Sequence, residues 1–165
     1  MTVFSIPSPL GTIFVREEGD AVTGLWFEGQ RYFPASLPPE SPVESPLQKA
    51  VCRWLDRYFA GEDPGPAPKV APKGTPFQEA VWSLLSAIPY GVTVRYGELA
   101  ERLSRQTGRR ASARAVGGAV GRNPISLLIP CHRVIGAKGA LVGYGGGLDR
   151  KAFLLALERK DPPRN

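Results

Sequence analysis

Residues 96–121 read YGELAERLSRQTGRRASARAVGGAVG, and this stretch decides the architecture of the C-terminal half. Leu99, Ala100 and Leu103 recur at helical spacing, which predicts a helix over about Tyr96–Leu103. A polar, arginine-rich loop follows. Ser112 then stands as the N-cap of a short helix, Ala113–Gly121, that ends before Asn123-Pro124. Two short helices joined by a loop form a helix-turn-helix candidate. Ala113, Ala115, Gly117, Gly118 and Ala119 keep the second helix slim on one side, although adjacent glycines weaken a helix. Close approach accounts for them, either to a DNA duplex or to another helix of the same domain.

Upstream, Thr75-Pro76-Phe77-Gln78 is a capping box, with Thr75 at N-cap and Gln78 at N3. It predicts a helix that buries Phe77, Val81, Leu84, Leu85 and Ile88 and stops at Pro89. Before it, Glu62–Gly74 carries Pro64, Pro66, Pro68 and Pro72 and reads as a linker. The first quarter reads as an antiparallel meander: Thr2–Ile6, Thr12–Glu17 and Val22–Phe27 are rich in β-branched and aromatic residues and separated by turn chemistry. Ser45-Pro46 then opens a helix, with Leu47, Val51, Trp54, Leu55 and Tyr58 facing the sheet and Gly61 ending it. Downstream, Ile125–Ile129 predicts a short strand, Lys138-Gly139 a hairpin turn, and Tyr144–Gly147 a flexible or closely approached backbone. A last helix, about Leu148–Glu158, turns Phe153, Leu154 and Leu157 inward, and Lys160–Asn165 is a polar tail.

Charge divides the chain. Residues 1–74 hold seven Lys/Arg against nine Asp/Glu, whereas residues 75–165 hold fourteen against six, so the net charge of +6 sits in the second part. A basic C-terminal half points to a polyanion, most simply nucleic acid, or to a solvated arginine-rich surface. No apolar run reaches membrane-spanning length, and Met1–Ser5 lacks the basic flank and apolar stretch of a secretory signal. The expected compartment is cytoplasmic, where Cys52 and Cys131 stay as thiols. Cys52 falls inside the first helix and reads as structural.

The chemistry concentrates at Ile129-Pro130-Cys131-His132-Arg133-Val134, where one of two cysteines adjoins the only histidine. A thiol beside a base and a positive charge has the surroundings of a reactive thiolate, and a buried cysteine before a surface histidine is the alternative. A free thiol near pKa ~8.5 is only slightly ionised at neutral pH, so a polarised histidine would raise its thiolate fraction. In an extended strand the two side chains would point to opposite faces, so a turn or a bridging water is needed.

Pro130-Cys131-His132-Arg133-Val134, preceded by Arg114-Ala115-Val116-Gly117 and Asn123-Pro124 and followed by Gly143-Tyr144-Gly145-Gly146, closely resembles the O6-alkylguanine-DNA alkyltransferases. The match runs from about Gly74 to Glu158. It implies an α+β chain: a ribonuclease-H-like antiparallel sheet plus helix over residues 1–74, closed by the linker at about 61–74, then a winged-helix domain over 75–165. It implies direct-reversal DNA repair, in which the acceptor cysteine, Cys131, irreversibly takes an alkyl group from O6 of guanine. His132 matches the histidine that accepts the thiol proton through a water, Glu158 the carboxylate that orients it, and Asn123 the asparagine that braces the cysteine turn. Tyr96 matches the tyrosine near the base, and Arg114 the finger that fills the duplex where the nucleotide has left. Ala113, Ala115, Gly117, Gly118, Arg122 and Arg133 complete the DNA-facing set. Val134, Tyr144, Gly145 and Gly146 match the base pocket. The partner implied is lesion-bearing double-stranded DNA bound in the minor groove by a monomer, with cooperative assembly and O4-alkylthymine left open.

Some family members carry serine where this chain has Gly145, and the loop at 105–112 reads as longer and more basic than usual. No cofactor or metal is expected, because the zinc of certain relatives needs N-terminal cysteines and histidines, and the N-terminal half has one cysteine and no histidine. A non-catalytic lesion binder, a winged-helix regulator and a cysteine hydrolase are the competing readings.

Overall fold

The N-terminal meander forms as three strands, β1 (Thr2–Ile6), β2 (Ile13–Glu18) and β3 (Ala21–Phe27), antiparallel in the order β1-β2-β3. This is a computed structural model in which residues 1–159 are described; the tail expected over Lys160–Asn165 lies outside them. Gly11 (φ 102°) and Gly19 (φ 63°) make the two turns, which L side chains would strain. β2 alternates buried and half-buried residues, as a strand with one covered face should. β3 is buried throughout although it lies at the sheet edge. Its outer rim is covered by the rest of the chain: Val22 bridges to Val70 and Leu25 to Ile125. The proline-rich linker is therefore a strap along the sheet rather than a free tether.

Helix α1 (Pro46–Phe59) starts where Ser45 Oγ accepts the Gln48 N–H at 3.0 Å, and the same hydroxyl donates to Glu17 Oε1 at 2.7 Å. The cap thus also anchors the helix to the sheet. Val51, Trp54, Leu55 and Tyr58 form its buried face. Helix α2 (Pro76–Ser86) has the full capping box of Thr75 and Gln78. It buries Val81, Trp82 and Leu85, while Phe77 at its first turn stays 39 % exposed, contrary to expectation. Trp82 Nε1–H donates to Ala119 O at 2.9 Å, locking α2 onto the second helix of the helix-turn-helix.

That motif comprises α3 (Tyr96–Thr107) and α4 (Ala113–Gly121). α3 runs four residues beyond the expected end, so the basic loop shortens to 108–112. Ser104 and Thr107 hydroxyls donate to the carbonyls of Ala100 and Leu103 within the helix, and Gly108 ends it in the left-handed region at φ 71°. Short strands β4 (Val94–Arg95) and β5 (Val134–Ile135) pair in parallel beside it. Lys138-Gly139 belongs to a single 3-10 turn, Ala137–Gly139, and not to a hairpin between strands.

Ile125–Ile129 is not a strand. Ile129 N–H bonds Ile125 O and Leu127 sits at φ 69°, so the segment coils into a buried turn and meets β3 only at Leu25. Helix α5 (Leu148–Glu158) buries Lys151, Leu154, Leu155 and Glu158, whereas Phe153 is 40 % exposed. The inward face is therefore rotated from the one expected. A single hydrophobic cluster runs through both halves, from Phe4 and Val15 in the sheet to Leu99, Val116 and Leu154.

Candidate active site

The turn at 125–129 exists because Asn123 holds it from both sides. Its Oδ1 accepts the Ile125 N–H at 3.0 Å and its Nδ2–H donates to Ile129 O at 2.8 Å. Pro130 follows, and Cys131–Arg133 makes one turn of 3-10 helix. Successive side chains of such a turn diverge by about 120°, so His132 does not point along Cys131. The sequence requirement for a turn at this point is met.

His132 is fully buried, with Nε2 2.5 Å from Glu158 Oε2. Glu158 is buried as well and gathers donors from four residues in three parts of the chain. Its Oε1 accepts Arg133 Nε–H at 2.8 Å and Gly91 N–H at 3.0 Å. Its Oε2 accepts the Tyr58 hydroxyl at 2.6 Å and Arg133 Nη2–H at 3.3 Å in addition to His132. Burial opposes its charge, yet the hydrogen bonds from His132 and Arg133 and the Arg133 charge prevail and hold the carboxyl at about 2. An ionised carboxylate only accepts, so His132 donates from Nε2 and keeps its lone pair at Nδ1. Among the described residues Nδ1 has no hydrogen-bond partner. Burial lowers the His132 pKa despite the contrary pull of Glu158, so the imidazole rests neutral.

Arg133, expected on the DNA-facing surface, is buried and committed to this cluster, since its Nη1–H donates to Ile88 O at 2.8 Å. A guanidinium that neutralises a buried carboxylate is not free for a phosphate. Cys131 is 4 % exposed. Burial pushes its thiol up to about 11, with Asn123 and the Lys151 charge opposing too weakly to offset it. The resting sulfur is thus a protonated thiol, not the partly ionised one the sequence suggests, because desolvation outweighs every polar neighbour.

A cavity of about 250 Å³ has in its wall Tyr96 and Tyr144, the two tyrosines whose pKa values burial and then Cys131 raise. Tyr96, Tyr144, Gly143 and Gly145 line it with the glycine face of α4, and Arg31 and Tyr32 of the N-terminal domain close one side. Tyr96 begins α3 and sends its hydroxyl to Val142 O at 3.2 Å and Gly143 O at 3.4 Å. Burial first, then the nearness of Cys131, raises its pKa to about 12. A Cβ at Gly117 would stand 3.7 Å from this ring, an ordinary contact, so the approach of α4 does not itself require the glycine. Gly146 is buried beneath Tyr144, whose ring would meet a Cβ at 2.5 Å. Val134, expected in the pocket, is instead a fully buried core residue paired with Val94 in the β4–β5 ladder.

Two residues were not singled out from sequence. Lys151 on α5 is buried, donates to Val142 O at 2.8 Å and Gly143 O at 3.2 Å, and has its pKa lowered to about 8 by burial. Tyr58, read as a packing residue, touches the carboxylate. A lysine at i, i+3, i+4 spacing with Leu154 and Leu155 was the one signal available for the first. The second joins residues 100 positions apart.

On the outer face, Ala113, Arg114, Ala115 and Gly118 are exposed and Gly117 half-exposed along α4, consistent with a slim surface beside the cavity mouth. Arg122 is exposed and stacks on Tyr32, 4.4 Å from the ring centroid, and Arg31 stacks on the same ring at 4.9 Å. Among the described residues no His/Cys/Asp/Glu group could hold a metal ion, and no helix is long and apolar enough to cross a membrane.

Residues 76–160 match the family model described as 6-O-methylguanine DNA methyltransferase, DNA binding domain, and residues 3–64 match its ribonuclease-like domain. A methylated-DNA–protein-cysteine methyltransferase of Mycobacterium leprae is 46 % identical over 157 residues, covering 94 % of this chain and 90 % of the relative. The Haemophilus influenzae protein of the same name is 42 % identical over 153 residues, covering 93 % and 83 %. Among solved structures, Mycobacterium tuberculosis OGT in complex with DNA superposes with a TM-score of 0.83 at 38 % identity, covering 99 % of this chain and 96 % of that one.

Proposed function

This chain belongs to the 6-O-methylguanine DNA methyltransferase family and acts in direct-reversal DNA repair, and from that premise we propose that Cys131 is the alkyl acceptor of a relay built from His132 and Glu158. The observation that carries the assignment is the single buried cluster in which Glu158 fixes the imidazole next in sequence to Cys131 through Nε2 and leaves Nδ1 without a hydrogen-bond partner among the described residues. One bridging water passes the Cys131 proton to Nδ1. The thiolate then attacks the alkyl carbon, the S–C bond forms, and the C–O6 bond breaks with its electron pair going to the purine. The imidazolium proton is returned to the departing guanine through solvent, so the thiol hydrogen ends on the base. Tyr96, at about 12, serves as hydrogen-bond donor to that base and keeps its own proton.

A resting pKa near 11 gives this site a specific logic. The thiol stays inert until a lesion in the cavity displaces solvent and places the alkyl carbon in line. Because the product is a thioether, each chain reacts once. The cysteine is 4 % exposed, so the base must leave the duplex to reach it, at a cost of a few kcal/mol that falls for a badly paired lesion. Arg114 in the vacated gap and the Ala/Gly face of α4 against the minor groove offset that cost. The reading takes residues 1–74 as the sheet-plus-helix domain and 75–165 as the DNA-binding domain, supported by the two matched ranges. It places the protein in the cytoplasm with the nucleoid, which suits the two free thiols.

The test is a transfer assay with a duplex bearing labelled O6-methylguanine, followed by intact-mass spectrometry and peptide mapping. One methyl per chain on Cys131, and none in Cys131→Ser with duplex binding retained, is the expected result. An adduct on Cys52, or an unmodified wild-type chain, overturns the proposal.

A further inference from the structure

We propose that Tyr58, on helix α1 of the N-terminal domain, is a positioning residue of the proton relay: its O–H, donated to Glu158 Oε2, limits the pull of that carboxylate on His132 and keeps the imidazole neutral. The inference rests on the relay reading above. Tyr58 lies 100 positions from Glu158 in sequence, is fully buried, and places its hydroxyl 2.6 Å from Oε2 and 3.4 Å from His132 Nε2. It is the one N-terminal side chain among the donors to Glu158 found in the described residues; the others are His132, Arg133 and the Gly91 backbone.

The ring cannot swing the hydroxyl away. Trp54 stacks on it at 5.4 Å and 9°, and Phe59 and Tyr90 meet it edge-on at 5.4 and 6.1 Å. Burial and the neighbouring carboxylate raise its pKa far above the ordinary value, so the group is always a donor. Oε2 therefore shares its electron density between a phenol and an imidazole. Without the phenol the same oxygen is a stronger base and stabilises an imidazolium, which has no lone pair for the thiol proton. The other groups facing His132 are fixed: Arg133 and Lys151 disfavour its charge, the Tyr144 ring lies edge-on at 6.5 Å, and the Cys131 thiol rests neutral. Tyr58 is thus the element by which the N-terminal domain sets the protonation of a site in the C-terminal domain.

The chain has one histidine, so every imidazole NMR signal reports His132 without assignment. In the full-length wild type, ¹⁵N spectra should show a neutral ring protonated at Nε2 from pH 7 to 8; an imidazolium at pH 7 overturns the proposal whether or not any variant folds. Tyr58→Phe should raise the titration midpoint of His132, and with it the acid limb of the single-turnover rate with free O6-benzylguanine, by about one pH unit, the effect of one hydrogen bond. The alkaline plateau should change less than about threefold for the same reason. A uniform loss of rate with an unmoved acid limb would reduce Tyr58 to packing. Glu158→Gln separates the two readings. If it leaves rate and profile unchanged, the relay itself fails. If it alters them while Tyr58→Phe does not, only this inference fails.

Discussion

The backbone N–H of Arg31 donates to the carbonyl of Gly145 at 2.9 Å, fastening a loop of the N-terminal domain to the wall of the cavity between Tyr96 and Tyr144. Gln30 stiffens that loop, accepting the Phe27 N–H at 2.8 Å and donating to Arg31 O at 3.0 Å. Together with Tyr58 on Glu158, this bond means that the N-terminal domain touches the C-terminal half at two places, the wall of the cavity and the buried Glu158 carboxylate. The shared hydrophobic cluster makes both contacts stiff.

Gly145→Ser should be accepted. A Cβ there meets Gln30 Nε2 and Gly121 O at 3.7 Å, an ordinary contact distance. The added hydroxyl offers the leaving oxygen a donor, and one neutral hydrogen bond worth ~1 kcal/mol corresponds to about a fivefold faster reaction with free O6-benzylguanine. Gly146→Ala should behave oppositely, because its methyl would stand 2.5 Å from the Tyr144 ring. Overpacking of roughly 1–3 kcal/mol and a displaced ring should lower both the melting temperature and the rate. Calorimetry and single-turnover kinetics on the pair decide the matter; equal behaviour would remove Gly145 from the cavity wall.

Local rules made much of this fold legible. Ser45, Thr75 and Ser112 cap the helices that their side chains announce, and the first three strands lie within one residue of their expected ends. Where reading failed, a non-local contact or an unusual backbone had prevailed. Ile125–Ile129 has a strand's composition, but the Asn123 side chain supplies the hydrogen bonds a ladder would have supplied. Lys151 looks like a solvated helix residue because nothing nearby announces the two carbonyls that draw its ammonium inward. Arg133 reads as a charge beside the thiol and a member of the DNA-facing set until Glu158 is seen beside it. The resemblance supplied Glu158 as the His132 partner. Tyr58, contributed by the other domain, has no signature in the chain at all.

Asn123 can be divided into structural and chemical parts. Asn123→Ala orphans the buried Ile125 N–H and Ile129 carbonyl, which should cost about 2–4 kcal/mol and roughly 6–12 °C in melting temperature. Asn123→Asp keeps the acceptor for Ile125 but sets a negative charge near Cys131, whose pKa the native amide lowers. Its transfer rate should therefore fall further than its stability does. Parallel losses in the two measurements would confine Asn123 to bracing the turn.

Stability should decline in acid through the relay itself. Glu158 is held at about 2 against an ordinary 4.5, so its contribution is complete above pH 4.5 and is lost as pH falls through the folded value. That interval corresponds to about 3 kcal/mol. His132 acts in the same direction: its folded pKa is lowered below 6.5, so its contribution is complete above that pH and is lost as the pH falls further. Urea unfolding of wild type and Glu158→Gln from pH 8 to 3 should show the gap fully present above pH 4.5 and narrowing below it. A constant gap would mean that Glu158 stabilises the fold in a way unconnected with its charge.

Arg114 tests how the duplex is opened. It is exposed near the start of α4, away from the relay, so Arg114→Ala should leave reaction with free O6-benzylguanine within about twofold, as expected for surface changes. Filling the gap of an extruded nucleotide matters only on DNA, where removing the finger returns an unstacking cost of a few kcal/mol and should slow duplex repair more than tenfold. A residue that only contacts phosphate would behave differently: binding would weaken evenly on lesioned and plain duplex, and the salt slope would fall by about one. Measuring repair rate, free-base rate and salt slope on the same variant therefore separates a finger from a phosphate ligand, and equal losses on duplex and free base would exclude both roles.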